Sequence, residues 1–384
     1  MKHKIMLITL ILISLLLCSC SLFDSDTEST KTVTSYEKYT LKNTPEELSK
    51  AIDKVADSNV ILAIETAQRV GLRLQYSYEL KSAVVYKKSG TKYYLTTSFD
   101  SDDYADSTSK ATKYEVILGE DYSNAITASI VGYDEANSVA VYQFTSSSSI
   151  GVSEVTSTFD TSVGDMVFSI ATFGEIATSL STFDYEENAY NIYSGVLSHD
   201  EGVEIKHEAM ASDQNTGSPL YDYNGKLIGL NIYKTGATVD DDAVNMEDLS
   251  DFNFAIRNDA LYKIINDIES SSSKSVERLA INGTFIHYSY VYGLEKQPYY
   301  KFNEYGVATT EFTFPTGMYN GIYVIKSSSG NSFKNMRSGD FINKANGVEI
   351  KSLNDLRNII RLTTTSETVT LTVSRNGSTI TYTN

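Results

Sequence analysis

Apolar and polar positions along this chain change their rhythm three times. Ile5 to Leu17 is one unbroken apolar run behind Lys2 and Lys4. Thr44-Pro45-Glu46-Glu47 then opens a helix: Thr44 as N-cap, Pro45 at the first helical position, Glu47 closing a capping box. Leu48, Ile52 and Val55 share one face of it. From there to about residue 257 short runs rich in Val, Ile, Thr and Tyr recur between turn residues: Ser82–Tyr86, Lys92–Thr96, Ala125–Val131, Ser138–Phe144, Met166–Ala171 and Lys226–Tyr233. Asn224-Gly225, flanked by apolar alternation, predicts a hairpin. So many short strands predict an antiparallel barrel or sandwich.

The rhythm changes again at Asn258, where Leu261, Ile264, Ile265 and Ile268 form a helical stripe. Glu269–Lys274, with four consecutive serines, is read as a linker. The last stretch, 275–384, has the size of a small αβ domain. Gly321–Ile325 and Asp340–Ala345 are strands, and Ser352 with Asp355 caps a helix from Leu353 to Leu362. Val369, Leu371 and Val373 alternate with threonines towards a closing hairpin at Asn376-Gly377.

The first run is an address. A basic start, an apolar stretch and a small residue before the cut describe a secretory signal, and Ser19-Cys20 resembles the lipobox of bacterial lipoproteins. The reading is a signal peptide over 1–19, acylation of Cys20, and a flexible tether over 20–43 that is rich in Ser, Thr, Asp and Lys. An uncleaved anchor helix is the alternative, and both place the bulk of the chain outside the cytoplasm. Both cysteines, Cys18 and Cys20, lie in this segment. The processed chain then has no disulfide, thiol nucleophile or zinc–thiolate site.

Composition narrows the partners. At 41% apolar and 21% charged the chain is ordinary globular material. Its 32 Lys and Arg against 49 Asp and Glu give −17, and −19 once Lys2 and Lys4 are removed. Such a surface repels phosphate, which argues against a nucleic-acid partner. The 28 tyrosines suit half-buried strands better than a sugar groove. Asp240–Asp242 with Glu247 and Asp248 lacks the alternating ligands and central Gly of a calcium loop, so it is read as a solvated acidic loop, and no metal or cofactor is expected.

The chemistry-bearing motifs come last. Ile205-Lys-His-Glu-Ala-Met-Ala-Ser-Asp-Gln-Asn-Thr-Gly-Ser-Pro-Leu220 resembles, without a gap, the nucleophile segment of HtrA-type trypsin-fold serine proteases. Tyr223–Asn231, Phe252–Arg257, Val131–Asp134 with Ser138–Val141, and Val163-Gly-Asp165 resemble the family's other motifs in the same order. Gly321–Val324, Arg337–Ile342, Asn346-Gly347 and Leu353–Leu356 resemble a PDZ domain. The resemblance implies a mainly β fold: two six-stranded antiparallel barrels over 44–150 and 151–269, then an α/β PDZ domain over 275–384. Family members often form trimers, so a homo-oligomer is an expectation of the same kind.

The departures carry the functional reading. Peptide hydrolysis on this scaffold needs a hydroxyl nucleophile, an imidazole base and an orienting carboxylate. The family's Ser aligns with Thr216, its His with Phe99 and its Asp with Ser138. The oxyanion-hole glycine aligns with Gln214. Losing a complete triad costs on the order of 10⁶ in turnover. His199, His207 and His287 are read as surface or structural residues, Asp100 and Asp134 as solvated turn acids, and Ser218 as a turn residue with a fallback role as nucleophile.

The leading expectation is therefore a lipid-anchored extracytoplasmic pseudoprotease that binds polypeptides or peptide C-termini. The PDZ groove is expected along the helix carrying Leu356 and Ile360, with its carboxylate-binding loop near Asn282, Gly283, Thr284 and Phe285. The alternatives are an active serine-type endopeptidase using Thr216 or Ser218 with an unrecognised base, and a structural surface lipoprotein with both grooves closed.

Overall fold

The computed structural model describes residues 44–99, 109–174, 176–209, 216–232, 253–288, 298–302, 308–313, 321–375 and 377–384. Pro45–Asn384 hold together as one unit. It opens with α1 (Pro45–Val55), whose Ala51 and Val55 are buried. Six strands follow: β1 (Asn59–Val70), β2 (Arg73–Ser89), β3 (Lys92–Ser98), β4 (Ser109–Ile117), β5 (Ile126–Asp134) and β6 (Val139–Thr145). Their order is β1-β4-β5-β6-β3-β2, and β1 pairs back onto β2 to close a barrel.

The second barrel takes β7 (Met166–Ala171), β9 (Asn191–Asp200), β10 (Glu204–His207), β11 (Pro219–Asp222), β12 (Leu227–Ile232) and β13 (Asn253–Arg257). They close in the order β10-β13-β12-β11-β7-β9. Between β7 and β9 the chain reaches back: β8 (Ile176–Ala177) pairs with β2, and the short α2 (Tyr185–Asn188) follows it.

Period-two geometry explains why β2 and β6 read as continuous apolar runs. Successive side chains on a strand point to opposite faces, and here both faces are buried. Ala83, Val85, Ala140 and Tyr142 fill the first barrel. Val84, Tyr86, Val139 and Val141 point the other way and pack with Phe168, Ile170, Leu230 and Ile256 of the second. Each such side chain removed from water contributes roughly 1.5–3 kcal/mol. The predicted helix, α3 (Asn258–Ser270), lays Leu261, Ile264, Ile265 and Ile268 into this seam. It runs through Glu269 and Ser270, so the expected linker loses its first two residues to the helix.

The carboxy-terminal sheet has the order β14-β17-β18-β20-β21, from β14 (Gly283–Tyr288), β17 (Gly321–Ser327), β18 (Phe341–Ala345), β20 (Thr370–Arg375) and β21 (Ser378–Thr383). β19 (Val348–Glu349) adds to β18, and β15 (Pro298–Phe302) pairs separately with β16 (Ala308–Thr313). The expected helix is α4 (Leu353–Leu362), and its capping box is closed: Asp355 N donates to Ser352 Oγ at 3.1 Å and Ser352 N to Asp355 Oδ2 at 2.9 Å. Leu356 and Ile360 pack with Phe285, Ile322, Val324, Ile342, Leu371 and Val373.

A buried ionic junction ties this domain to the barrels. Arg278 donates from Nε to Asp134 Oδ2 at 2.8 Å, and from Nη1 to Asp267 Oδ2 at 2.6 Å and the Leu362 carbonyl at 2.9 Å. Asp134 is fully buried, so it is not the solvated turn acid that its sequence context predicts; the guanidinium from the far side of the chain makes the difference. Arg361 of α4 donates to Asn137 Oδ1 at 2.6 Å and pairs with Glu204, while Asn358 Nδ2 reaches the Glu201 carbonyl at 2.6 Å.

Candidate functional site

Phe99, Ser138 and Thr216, the positions singled out by the motif resemblance, are linked by hydrogen bonds that run through Ser98 and the Ser138 turn. β3 ends at Ser98, and Phe99 N donates to the Ser138 carbonyl at 2.9 Å. Asp134 holds that turn by accepting from Asn137 N at 3.1 Å and Asn137 Nδ2 at 2.8 Å. Ser138 follows in the left-handed region at φ 53°, a conformation that costs a non-glycine residue about 1 kcal/mol. Ser98 Oγ donates to Thr216 Oγ1, which comes from the second barrel, at 3.0 Å.

Gly217 makes this approach possible. It sits at φ +85°, its N–H donates to the Asn231 carbonyl at 2.8 Å, and an added Cβ would lie 2.1 Å from Thr97 Oγ1 and 2.7 Å from Ser98 N. Only a residue without a side chain lets the Thr216 segment rest on β3.

Among the described residues, a hydroxyl lies against Thr216, and the residue that follows Ser98 stands in an aromatic stack. The Phe99 ring is 6% exposed and lies on Tyr133, centroids 4.1 Å apart and planes 7° from parallel. A phenyl ring has no lone pair with which to accept a proton. Ser98 carries a hydroxyl, which is no better as a base at neutral pH. Gln214, Asp100 and Cys20 lie outside the described residues, as do 1–19, 20–43 and the acidic stretch with Asp240–Asp242, Glu247 and Asp248.

The histidines are placed elsewhere. His199 is exposed on β9, and His287 stands on β14 with its side chain outside the described residues. His207 is fully buried inside the second barrel. Its Nε2 lies 2.8 Å from Asn231 Oδ1, and Asn231 Nδ2 donates to Ser218 Oγ at 2.8 Å and Ser169 Oγ at 3.0 Å. Two donations from the amide nitrogen orient its oxygen towards the ring, so the Nε2–H tautomer is assigned from this network. Ser218 is fully buried too, with Ser169 Oγ 3.2 Å away. The turn expected at Ser218 is instead the entry to β11, and the fallback nucleophile is sealed inside the barrel.

Burial pushes His207 down to about 4, against smaller opposing contributions from Asn231 and the Ala209 backbone. The unfolded chain therefore takes up this proton first as pH falls below about 6.5. Stability is intact above that pH and declines as the pH drops from about 6.5 towards 4, by about 3 kcal/mol in total. His207→Gln, which cannot titrate in this range, is expected to flatten that part of the pH profile. Chemical denaturation at several pH values measures it.

In the PDZ domain Asn282 lies just before β14, Gly283, Thr284 and Phe285 open that strand, and Phe285 is 5% exposed in the domain core. Leu356 and Ile360 of α4 are buried in the same core. Strand register explains this: an apolar residue at alternate positions belongs to the core face. Just upstream, Leu279 N donates to the Thr363 carbonyl at 2.9 Å, Ala280 N to Ser332 Oγ at 3.0 Å, and Asn282 N to Asn331 Oδ1. β14 remains an edge of its sheet with α4 packed beside it. Among the described residues no cluster of three or more His, Cys, Asp or Glu could hold a metal ion.

Comparison with known proteins matches this geometry. The PDZ domain family matches residues 304–383. The Serine protease Do-like HtrA of Lactococcus lactis subsp. lactis (strain IL1403) is 25% identical over 325 residues, covering 79% of this chain and 69% of that protein. The protein of the same description from Lactobacillus helveticus is 23% identical over 306 residues, covering 78% and 67%. The crystal structure of the serine endoprotease from Yersinia pestis superimposes with a TM-score of 0.53 at 18% identity, over 89% of this chain and 97% of that one. With two closed barrels and a matched carboxy-terminal domain, the chain has a trypsin-like fold with a C-terminal PDZ domain and is similar to HtrA-like serine proteases.

Proposed function

We propose that the chain is an extracytoplasmic pseudoprotease, anchored through an acylated Cys20, that holds polypeptides without cutting them. One observation supports this reading: Phe99, which the motif resemblance sets at the place of the general base, is stacked on Tyr133 and sealed from solvent. Thr216 can act as a nucleophile only if a base takes its proton, and the hydroxyl bonded to it belongs to Ser98. Among the described residues the buried imidazole is that of His207, and it is engaged with Asn231.

Binding needs less than catalysis does. An edge strand beside a helix accepts an extended peptide as one further strand, with main-chain hydrogen bonds supplying affinity. The β14 edge beside α4 has that form. The full chain is expected to bind an unfolded polypeptide such as reduced casein and to leave it intact. Casein fragments that disappear in the Thr216→Ala protein would sink the proposal.

A purely structural surface protein is the second reading. It is favoured by the own-chain partners already on the Leu279, Ala280 and Asn282 amides. Absence of binding to casein and to peptides with free C-termini would decide for it.

A further inference from the structure

We propose that the end of the β1–β2 hairpin is a membrane-docking element that enters the headgroup layer of an anionic lipid bilayer. Among the described residues the two strands stay paired out to Val70 and Arg73, past the last β1–β4 pair at Gln68 and Ser109. The hairpin therefore ends as a two-stranded projection. Every residue from Gln68 to Tyr76 is exposed, with Val70 at 55%, Leu72 at 99%, Leu74 at 58% and Tyr76 at 47%.

This is not the composition of a solvated turn. Two-residue hairpin loops favour Asn, Asp and Gly. Here Gly71 supplies the positive φ of +65° and its partner in the turn is Leu72, which touches almost nothing of its own chain. Large apolar side chains presented together at a projecting end mark an interaction surface.

Charge selects the partner. Thr66 to Tyr78 holds Arg69 and Arg73 and no acidic residue, within a chain of net charge −17. Residues directly opposite on paired strands share a face. Arg69 stands opposite Leu74, and Arg73 opposite Val70. Each face of the tip thus joins an apolar side chain to a guanidinium, the combination that buries apolar area at a bilayer surface while the cation meets lipid phosphate. A second copy of the tip fits poorly, because it would bring four guanidiniums together without a carboxylate. The inference does not depend on acylation of Cys20.

The chain contains no Trp, so a single introduced indole reports on its own position. Full-length protein carrying Leu72→Trp is mixed with phosphatidylcholine vesicles with or without phosphatidylglycerol, and with a brominated phosphatidylcholine as quencher. The expected result is a blue shift and bromine quenching with the anionic vesicles. Adding Arg69→Gln and Arg73→Gln should weaken partitioning by about 30-fold. Val348→Trp, on another exposed site, should show neither shift nor quenching. An unshifted, unquenched Leu72→Trp signal would overturn the proposal, as would equal quenching of Val348→Trp. So would a blue shift without vesicles that grows with protein concentration, which would make a second copy the occupant.

Discussion

Arg278→Ala is expected to destabilise the folded chain by about 3–5 kcal/mol, the range for breaking a buried ion pair from one side. Arg278 is 2% exposed at its side chain, and it faces Asp134 at 0% and Asp267 at 18%. Removing the guanidinium strands the Asp134 carboxylate in a site that water does not reach, and it also frees the Leu362 carbonyl at the end of α4. The damage should not stay at the junction. Asp134 caps the turn that sets Ser138, whose carbonyl holds the Phe99 backbone. A paired Arg278→Leu and Asp134→Leu chain is expected to recover part of the loss, because the fully buried carboxylate is gone and Asp267 keeps Lys263 as a partner, while Asn137 loses its acceptor. Urea unfolding of the three proteins checks this: a loss below about 1 kcal/mol for Arg278→Ala would place the pair with exposed surface bridges.

Gly217→Ala is expected to cost on the order of 4 kcal/mol, a loss tied to backbone strain and overlap together. The residue sits at φ +85°, and a methyl group would overlap Thr97 Oγ1, Ser98 N and the Ser82 carbonyl, all of them parts of the first barrel. Two of those three atoms are backbone and cannot swing away. Gly164→Ala separates the two contributions, since Gly164 has φ +97° and nothing within 4 Å of the added carbon. Strain alone should cost that variant about 1 kcal/mol. Thermal unfolding of both variants measures the difference, and equal losses would contradict the close approach at Thr216.

Much of the architecture is legible where local signals and burial agree. The α4 helix follows from Ser352, Asp355 and an apolar stripe, and Met166–Ala171 is a strand with the limits its apolar run suggests. The β1–β2 hairpin escapes such reading for a stated reason. Its turn is Gly71-Leu72, not Asn-Gly, and its outer end carries apolar residues where alternation predicts polar ones. Asp134 and Arg278 escape for another. They stand far apart in sequence, and nothing local in either segment announces that the two will be buried together.

The site divides in the same way. The resemblance of motifs is what singles out Phe99, Ser138 and Thr216, and the hydrogen bonds present are Ser98 to Thr216 and Phe99 to Ser138. The His207–Asn231–Ser218 network was hidden because its members come from separate elements, the end of β10, β12 and the entry to β11. An Asn in the middle of the otherwise apolar Leu227–Ile232 was the available signal, since a buried amide requires partners.

Intact-mass spectrometry of the full-length protein after exposure to a fluorophosphonate tests the central claim most directly. Reaction requires a hydroxyl whose proton is taken by a neighbouring base. The account predicts an unmodified mass at pH 7, identical for the wild-type and Thr216→Ala chains. A single stoichiometric adduct on the wild-type protein, absent from Thr216→Ala, would show that a base does reach Thr216 and would contradict it.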